Sequence, residues 1–262
     1  MDERLPLSVS LISYNEEENL ARTLGSVVGI ASEIIVVDSH STDKTREIAT
    51  AYGSNVYVEN WKGFIEQKNS ALEKCTQEWV LCLDCDEVVS EGLKYSIIDA
   101  VMKNKYSGYS INRRTFYLGK LLKYSWQPDY NLRLVKKTAN PVWGGYEPHA
   151  SLDIREETSK LKGDLIHYTY SSFDDHIKKL INYAETVSES YYKKGKKFRL
   201  YNLIFNPFFT FIKKYILKLG VLDGSRGFIT SLSSFIYVFL KYSFLWERER
   251  LEDEKRTIKK DL

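Results

Sequence analysis

The stretch EIIVVDSHSTDKTREIATAYG, residues 33–53, decides the fold class. Ile34–Val37 is a continuous apolar run, the pattern of a strand covered on both faces. Ser41-Thr42-Asp43 supplies helix-capping side chains and Gly53 supplies a stop, so 41–53 reads as a helix. A doubly covered strand feeding a helix is the unit of a parallel α/β sheet with right-handed crossovers.

The same alternation extends outward on both sides. Residues 7–15, LSVSLISYN, read as a strand, and 16–29 as a helix with Leu20, Leu24, Val27 and Val28 on one face. Downstream, 55–60 reads as a strand, 64–75 as a helix and 78–84 as a fourth strand. After about residue 105 the pattern changes. Residues 108–126 and 130–138 read as antiparallel strands joined as a hairpin, and 164–170 as another strand. A long helix is expected over 172–197, with Ile177, Leu180, Ile181, Ala184, Val187 and Tyr191 at helical spacing.

Composition limits the function classes. The chain has 262 residues, 43% hydrophobic and 28% charged, which fits one large globular domain with or without an appendage. Net charge is +3, but between Ser190 and Leu222 there are eight Lys or Arg and no Asp or Glu. Such a strip predicts an anionic partner. The three cysteines, Cys75, Cys82 and Cys85, do not make a disulfide scaffold. Cys82 and Cys85 form one C-x-x-C without a second pair and read as small buried hydrophobes. The N-terminus lacks a signal-peptide pattern, and no uninterrupted apolar run reaches the ~20 residues of a spanning helix.

In parallel sheets ligands sit beyond the carboxyl ends of the strands. Here those ends carry Ser13-Tyr14-Asn15-Glu16, then Asp38-Ser39, then Asp84-Cys85-Asp86. In WVLCLDCDEVVSEG, residues 79–92, an apolar run stops at three carboxylates, Asp84, Asp86 and Glu87. Unpaired carboxylates at a buried strand end repel one another. A hard divalent cation, Mg²⁺ or Mn²⁺, neutralises them and keeps positions open for phosphate oxygens. The other reading of this segment is a solvated acidic turn that begins a helix. Asn15, Glu16 and Asp38 likewise read either as ligand contacts or as caps of the turns that follow them.

Four segments, VSLISYNEEENLARTLGSV, EIIVVDSHSTDKTREIA, QKNSAL and WVLCLDCDE, resemble in order the inverting nucleotide-sugar glycosyltransferases of family 2, which have the GT-A fold. GYEPHASLD, HYTYSSFDDHIKKLINYAE and LDGSRGF further resemble the bacterial lipopolysaccharide core β-1,4-glucosyltransferases. The resemblance implies a nucleotide-sugar site at Ser13, Tyr14, Asn15, Glu16, Asp38, Ser39, Gln67, Lys68, Asp84, Cys85 and Arg133. It implies metal ligation by Asp86 with Asp84, and His167 as a further ligand, although a lone His in an apolar strand is also an ordinary core residue. Arg133 reaches a phosphate or pairs with a neighbouring carboxylate.

Inverting transfer requires a general base for the acceptor hydroxyl. PVWGGYEPHASL, residues 141–152, offers Glu147 on a turn permitted by Gly144 and Gly145, with Trp143 and Tyr146 as flat faces for a sugar. Relatives carry His-Glu at this point, whereas this chain has Tyr146-Glu147 and then His149. Asp129 is the alternative base. The expected domains are 1–198, a GT-A catalytic domain, and 199–262, a helical membrane-associating region. In the second, 206–220 is expected to be an amphipathic helix capped by Asn206 with Pro207 at its first position.

The expected activity moves glucose from UDP-glucose to a heptose of the lipopolysaccharide inner core. Alternatives are another lipid-linked acceptor, such as polyprenyl phosphate, or a non-catalytic nucleotide-sugar or membrane-binding module. The expected partners are a UDP-sugar, a lipid-anchored saccharide and an anionic membrane surface, with no nucleic acid. The expected place is the cytoplasmic face of the bacterial inner membrane, held peripherally.

Overall fold

The computed structural model describes residues 4–147 and 149–261, with side chains through Glu252 except that of His149. The first third alternates as expected: β1 (Leu5–Ser13), α1 (Leu20–Gly25), β2 (Ala31–Asp38), α2 (Thr45–Ala51), β3 (Asn55–Val58), α3 (Phe64–Lys74) and β4 (Trp79–Cys82). There follow β5 (Glu87–Val89), α4 (Glu91–Lys103), β6 (Gly108–Tyr117), β7 (Lys120–Leu121), β8 (Tyr130–Lys136), β9 (Val142–Tyr146), β10 (His149–Asp153) and β11 (Thr158–Tyr170). Three helices end the chain, α5 (Phe173–Lys193), α6 (Leu200–Ile212) and α7 (Ser225–Asp261).

These elements group into two compact units that interleave in sequence. One holds the residues up to Phe116, Pro128–Gly145 and His149–Thr169; the other holds Tyr117–Gln127, the turn at Tyr146 and everything from Tyr170. Helix α5, which precedes residue 198, therefore groups with the later helices.

In the first unit the strand order is β3-β2-β1-β4-β8-β6-β11-β5. β2, β1 and β4 run parallel, as do β2 and β3, whereas β8 is antiparallel to both β4 and β6. The run Ile34–Val37 shows why a continuous apolar segment means a doubly covered strand. Ile34 and Val36 belong to one core cluster with Leu20, Leu24 and Leu93; Ile35 and Val37 belong to the other, with Ala71 and Leu72 of α3. Each such side chain contributes about 1.5–3 kcal/mol by leaving water.

Two helices start later than the residue pattern predicts, and the same chemistry explains both. Residues 16–19 form a turn whose Glu16 carbonyl accepts from Asn19 and Leu20. Residues 41–44 form another, with Ser41 N–H held by Asp38 at 2.8 Å and Thr45 N–H by Asp43 at 2.9 Å. Polar side chains that suit helix caps also close turns, so they announce an end without fixing its exact residue.

The Asp84–Asp86 turn and a distant strand meet because β5 pairs antiparallel with β11, with His167 opposite Glu87. Gly163 lets β11 pass the start of α4: its φ is +89°, and a Cβ there would lie 2.5 Å from the Leu93 nitrogen.

In the second unit α7 packs on α5 and α6, with Val238, Tyr242 and Leu245 buried against Tyr191, Tyr192, Phe198 and Leu203. LDGSRGF proves to be a clasp. Asp223 accepts from the backbone N–H groups of Lys123, Tyr124 and Ser125 at 2.7–3.0 Å, and Arg226 donates to the Leu118 carbonyl at 2.7 Å. The backbone at Gly227 passes so close to the Gly220 carbonyl that any Cβ there would overlap it.

The expected helix at 206–220 is displaced. It begins at Leu200, so Pro207 is interior rather than at the first turn, and Asn206 donates to Asn202 and to the Tyr242 hydroxyl instead of capping. Over Lys213–Leu217 the helix widens to an i→i+5 pattern, closed by Lys218 N–H on the Lys213 carbonyl at 2.8 Å. No uninterrupted apolar run there reaches spanning length, yet residues Ser225–Glu252 of α7 are long and apolar enough to cross a membrane by length and composition. Serines and Lys241 break the apolar stretch 227–246 in the sequence.

Candidate active site

The site is assembled on the carboxyl edge of the parallel strands. Ser13 and Asp38 are paired across β1 and β2, and Leu83 N–H continues the ladder onto the Ser10 carbonyl. Asp38 is fully buried and accepts from Ser13 Oγ at 2.9 Å and from Ser41 N–H and Oγ, with Arg46 Nε 3.8 Å away. It organises the edge from inside. Asn15 takes a left-handed conformation (φ 53°), accepts from Thr42 N–H at 2.9 Å and donates its own N–H to Ser41 Oγ. Glu16 N–H is held by Thr45 Oγ1 at 2.7 Å and its carboxylate by Asn19. Tyr14 projects from this edge and is 59% exposed. Ser39 is buried.

Beyond β4, opposite charges alternate. Lys68 Nζ lies 2.6 Å from Asp84 Oδ1, and Arg133 Nη2 lies 3.0 Å from Asp84 Oδ2 and 2.8 Å from Glu87 Oε1. Arg113 stands 3.7 Å from Glu87 and donates from Nε to Asp129 at 2.8 Å. Glu87 Oε2 accepts from Asp84 N–H at 2.9 Å, which closes the turn. Burial pushes Asp84 toward protonation, but the charges of Lys68 and Arg133 outweigh it and hold the carboxyl well below the usual range. For fully enclosed Glu87 burial wins over Arg133, and its carboxyl is raised.

This corrects the argument that the acidic cluster needs a cation to exist. The protein supplies its own cations for Asp84, Glu87 and Asp129. Arg133, 6% exposed at its side chain, takes the second of its two possible roles, pairing with carboxylates rather than facing a phosphate. Glu87 was legible only as a helix starter; it is the buried anion on which the turn closes. Lys68 also sits 4.5 Å over the Trp143 ring. Trp143 is 5% exposed, so it is a core residue and not a platform for a sugar.

Asp86 is different. Its side chain retains 22% exposure and lies 3.1 Å from His167 Nε2, whose Nδ1 is 2.9 Å from Thr169 Oγ1. Burial raises Asp86, while the charge and hydrogen bond of His167 more than offset that and leave it lowered. His167 is thus not an isolated core histidine. Cys85 turns inward, 4% exposed, with its thiol on the Ile12 carbonyl at 3.2 Å, so its side chain offers nothing to a nucleotide. The three free thiols are all buried, and burial pushes Cys75 and Cys82 up to about 12.

The donor set fits a divalent cation in a particular way. One carboxylate and one imidazole stand together, oriented by Thr169, and no group of three His, Cys, Asp or Glu gathers among the described residues. A cation at Asp86 and His167 would complete its shell from diphosphate oxygens and water, as Mg²⁺ and Mn²⁺ do. Gln67, expected in the nucleotide-sugar site, offers no surface to a ligand. It is fully buried, and neither amide atom has a partner among the described residues. Leaving such an amide unpaired costs about 1–3 kcal/mol.

Of the two proposed bases, Asp129 has both oxygens engaged, by Arg113 at 2.8 Å and Asn131 at 3.0 Å. Glu147 lies on the turn between β9 and β10, which pair as a separate two-stranded sheet. Gly144 and Gly145 are inside β9 rather than in the turn, and Gly145 has φ +101°. The side chain of His149 lies outside the described residues.

The glycosyl transferase family 2 model matches residues 8–155, and the chain belongs to that family; it is a glycosyltransferase of GT-A fold. Over 261 residues it is 28% identical to the lipopolysaccharide core biosynthesis glycosyltransferase LpsC of Rhizobium meliloti, covering 95% of each chain. It is 29% identical over 266 residues to RT0209, described as an uncharacterized glycosyltransferase of Rickettsia typhi, covering 96% of this chain and 89% of that one. The mannosyltransferase PcManGT of Pyrobaculum calidifontis, solved with GDP-Man and Mn²⁺, shares the fold with a TM-score of 0.58 at 13% identity, over 93% of this chain and 87% of that one.

Proposed function

We propose that this glycosyltransferase is an inverting, divalent-cation-dependent hexosyltransferase that moves glucose from UDP-glucose to a heptose of the lipopolysaccharide inner core. The observation that carries the donor half is the Asp86–His167 pair, half-open beside a charge ladder that is already balanced. The similarity to LpsC along the whole chain supports the acceptor half.

In this reading Asp86 and His167 hold Mg²⁺ or Mn²⁺, which supplies charge stabilisation to the departing diphosphate. With Nε2 on the cation, Nδ1–H donates to Thr169 and fixes the ring. Tyr14, Asn15 and Glu16 border the nucleoside, and buried Asp38 keeps their loop rigid. Lys68 adds positive charge beside Asp84. Glu147 accepts the proton of the acceptor hydroxyl as that oxygen attacks the anomeric carbon from the face opposite the diphosphate.

The decisive assay offers UDP-glucose and other UDP-sugars to the enzyme with an inner-core acceptor, for wild type and Glu147→Gln. The variant is expected to bind UDP normally and to transfer about 10²–10⁴-fold more slowly. Normal transfer would place the base elsewhere. If no UDP-sugar supports transfer, the donor assignment fails.

The same reading places the enzyme peripherally on an anionic membrane surface. Supporting it, α6 exposes Phe205, Phe208, Phe209 and Ile212, and exposed or half-exposed Lys213 and Lys218 follow. Each lysine near an anionic leaflet contributes about 1 kcal/mol, so reversing both to Glu should weaken partition into phosphatidylglycerol vesicles roughly tenfold or more. Unchanged partition in a co-sedimentation assay would remove the membrane from the proposal. An acceptor carried on polyprenyl phosphate remains the second reading, favoured by the same exposed apolar face.

A further inference from the structure

The helical unit holds a second constellation that the reaction has not used. Lys194 Nζ stands 3.5 Å from the centroid of the Tyr146 ring, and Lys196 Nζ 3.8 Å from that of Tyr191. Lys241 Nζ, from the middle of α7, lies 5.2, 5.6 and 4.9 Å from the rings of Tyr191, Tyr237 and Tyr242. Tyr146 and Tyr191 meet edge to face at 5.6 Å. Three ammonium groups therefore converge on one block of tyrosines, and that block adjoins Glu147 in sequence.

Ring faces attract cations but do not cancel their charge. Among the described residues, Lys196 and Lys241 are recorded against these rings and against no carboxylate. Burial, and then the charge of Lys196, brings the Lys241 ammonium down to about 8. Lys196 and Lys241 thus bring like charges together over an uncharged aromatic floor with no anion recorded against either among the described residues.

We propose that Lys194, Lys196 and Lys241, with Tyr146, Tyr191 and Tyr237, form a subsite for a negatively charged substituent, phosphate or carboxylate, on the acceptor saccharide. This rests on the reading that the Glu147 turn receives the acceptor. A saccharide fits better than a lipid headgroup, because a flat bilayer surface meets exposed lysines such as Lys194 and Lys196, whereas Lys241 is half-buried among tyrosines. Tyrosine faces also suit sugar rings, and hydroxyls at their edges suit sugar hydroxyls.

The test titrates the full-length protein with glucose 6-phosphate, glucuronate, methyl glucoside and inorganic phosphate by calorimetry, for wild type, Lys241→Met, Lys196→Met and Lys241→Arg. Charged sugars should bind better than methyl glucoside or inorganic phosphate. Each Met variant should weaken them about tenfold, the scale of one charge-assisted hydrogen bond, and Lys241→Arg should restore most of it. Lys196 is exposed, so its variant tests the idea even if Lys241→Met fails to fold. Equal binding of a charged sugar to wild type and Lys196→Met overturns the subsite. So does inorganic phosphate binding as well as the charged sugars, or a Met variant that loses phosphatidylglycerol vesicles while keeping glucose 6-phosphate. Wild-type UDP-glucose hydrolysis, measured alongside, separates the two readings: its absence counts against the proposed transfer, and its presence with unaltered sugar binding counts against the subsite alone.

Discussion

Asp86→Ala is expected to lower transfer by about three orders of magnitude while leaving the fold intact. Removing the carboxylate takes away one of two protein ligands from the proposed cation, whose charge stabilisation is worth several kcal/mol, and each 1.36 kcal/mol is tenfold in rate. The side chain has one partner among the described residues, His167, and keeps 22% exposure, so its loss leaves no enclosed group orphaned. Its carbonyl still accepts from Tyr168 N–H at 2.9 Å. The measurement is kcat with UDP-glucose across a Mn²⁺ titration, next to a thermal melt. Full cation-dependent turnover in the variant would refute the assignment.

The largest effect on stability is expected from Arg133→Met. Breaking a buried ion pair from one side typically costs about 3–5 kcal/mol, because the partner charge stays buried. For a chain of this size that corresponds to a fall of roughly 10 °C in Tm. Glu87, with no exposed surface, is the stranded partner, and Asp84 loses one of its two cations. The pH dependence carries a distinctive sign. With Arg133 gone, Glu87 is raised further above its unfolded value of about 4.3. A group raised on folding contributes stability that is complete below its unfolded pKa and is lost as pH climbs through the folded one. The variant should therefore lose stability relative to wild type as pH climbs past the wild-type Glu87 value, which itself already lies above the unfolded one. In the wild type Asp84 runs the opposite way: its depressed carboxyl adds stability above the unfolded value and gives it up as pH falls. Melts of both proteins across pH 4 to 8 check this; parallel curves would mean that Arg133 is not the partner of Glu87.

The parallel half of the fold was readable because short apolar runs alternate with capped helices. Ile34–Val37 needs burial on both faces, and two core clusters take its side chains alternately. The edge residues were readable for a related reason, since polar groups at the ends of enclosed strands have few other purposes. Pairing was not readable. Arg133 and Arg113 meet Glu87 from 46 and 26 positions away, through β8 and β6, and nothing local in NLRLVKK or INRRTF announces it. Trp143 misled for the same reason: its aromatic face suits a sugar, but sheet packing seals it under Lys68. The start of α6 was missed because Asn206-Pro207 is a strong local start signal, overridden by apolar residues upstream that continue the helix.

The alternating ladder from Lys68 to Asp129 also has a bearing on handling the enzyme. At its centre Arg133 and Glu87, enclosed by protein, are poorly reached by mobile ions, whereas exposed lysines around α6 feel a Debye length of about 8 Å in physiological buffer. Ionic strength should therefore act on those lysines and on the ladder unequally. On the proposed membrane placement, concentrated potassium chloride should release the protein from phosphatidylglycerol vesicles while leaving the Arg133–Glu87 contact almost untouched.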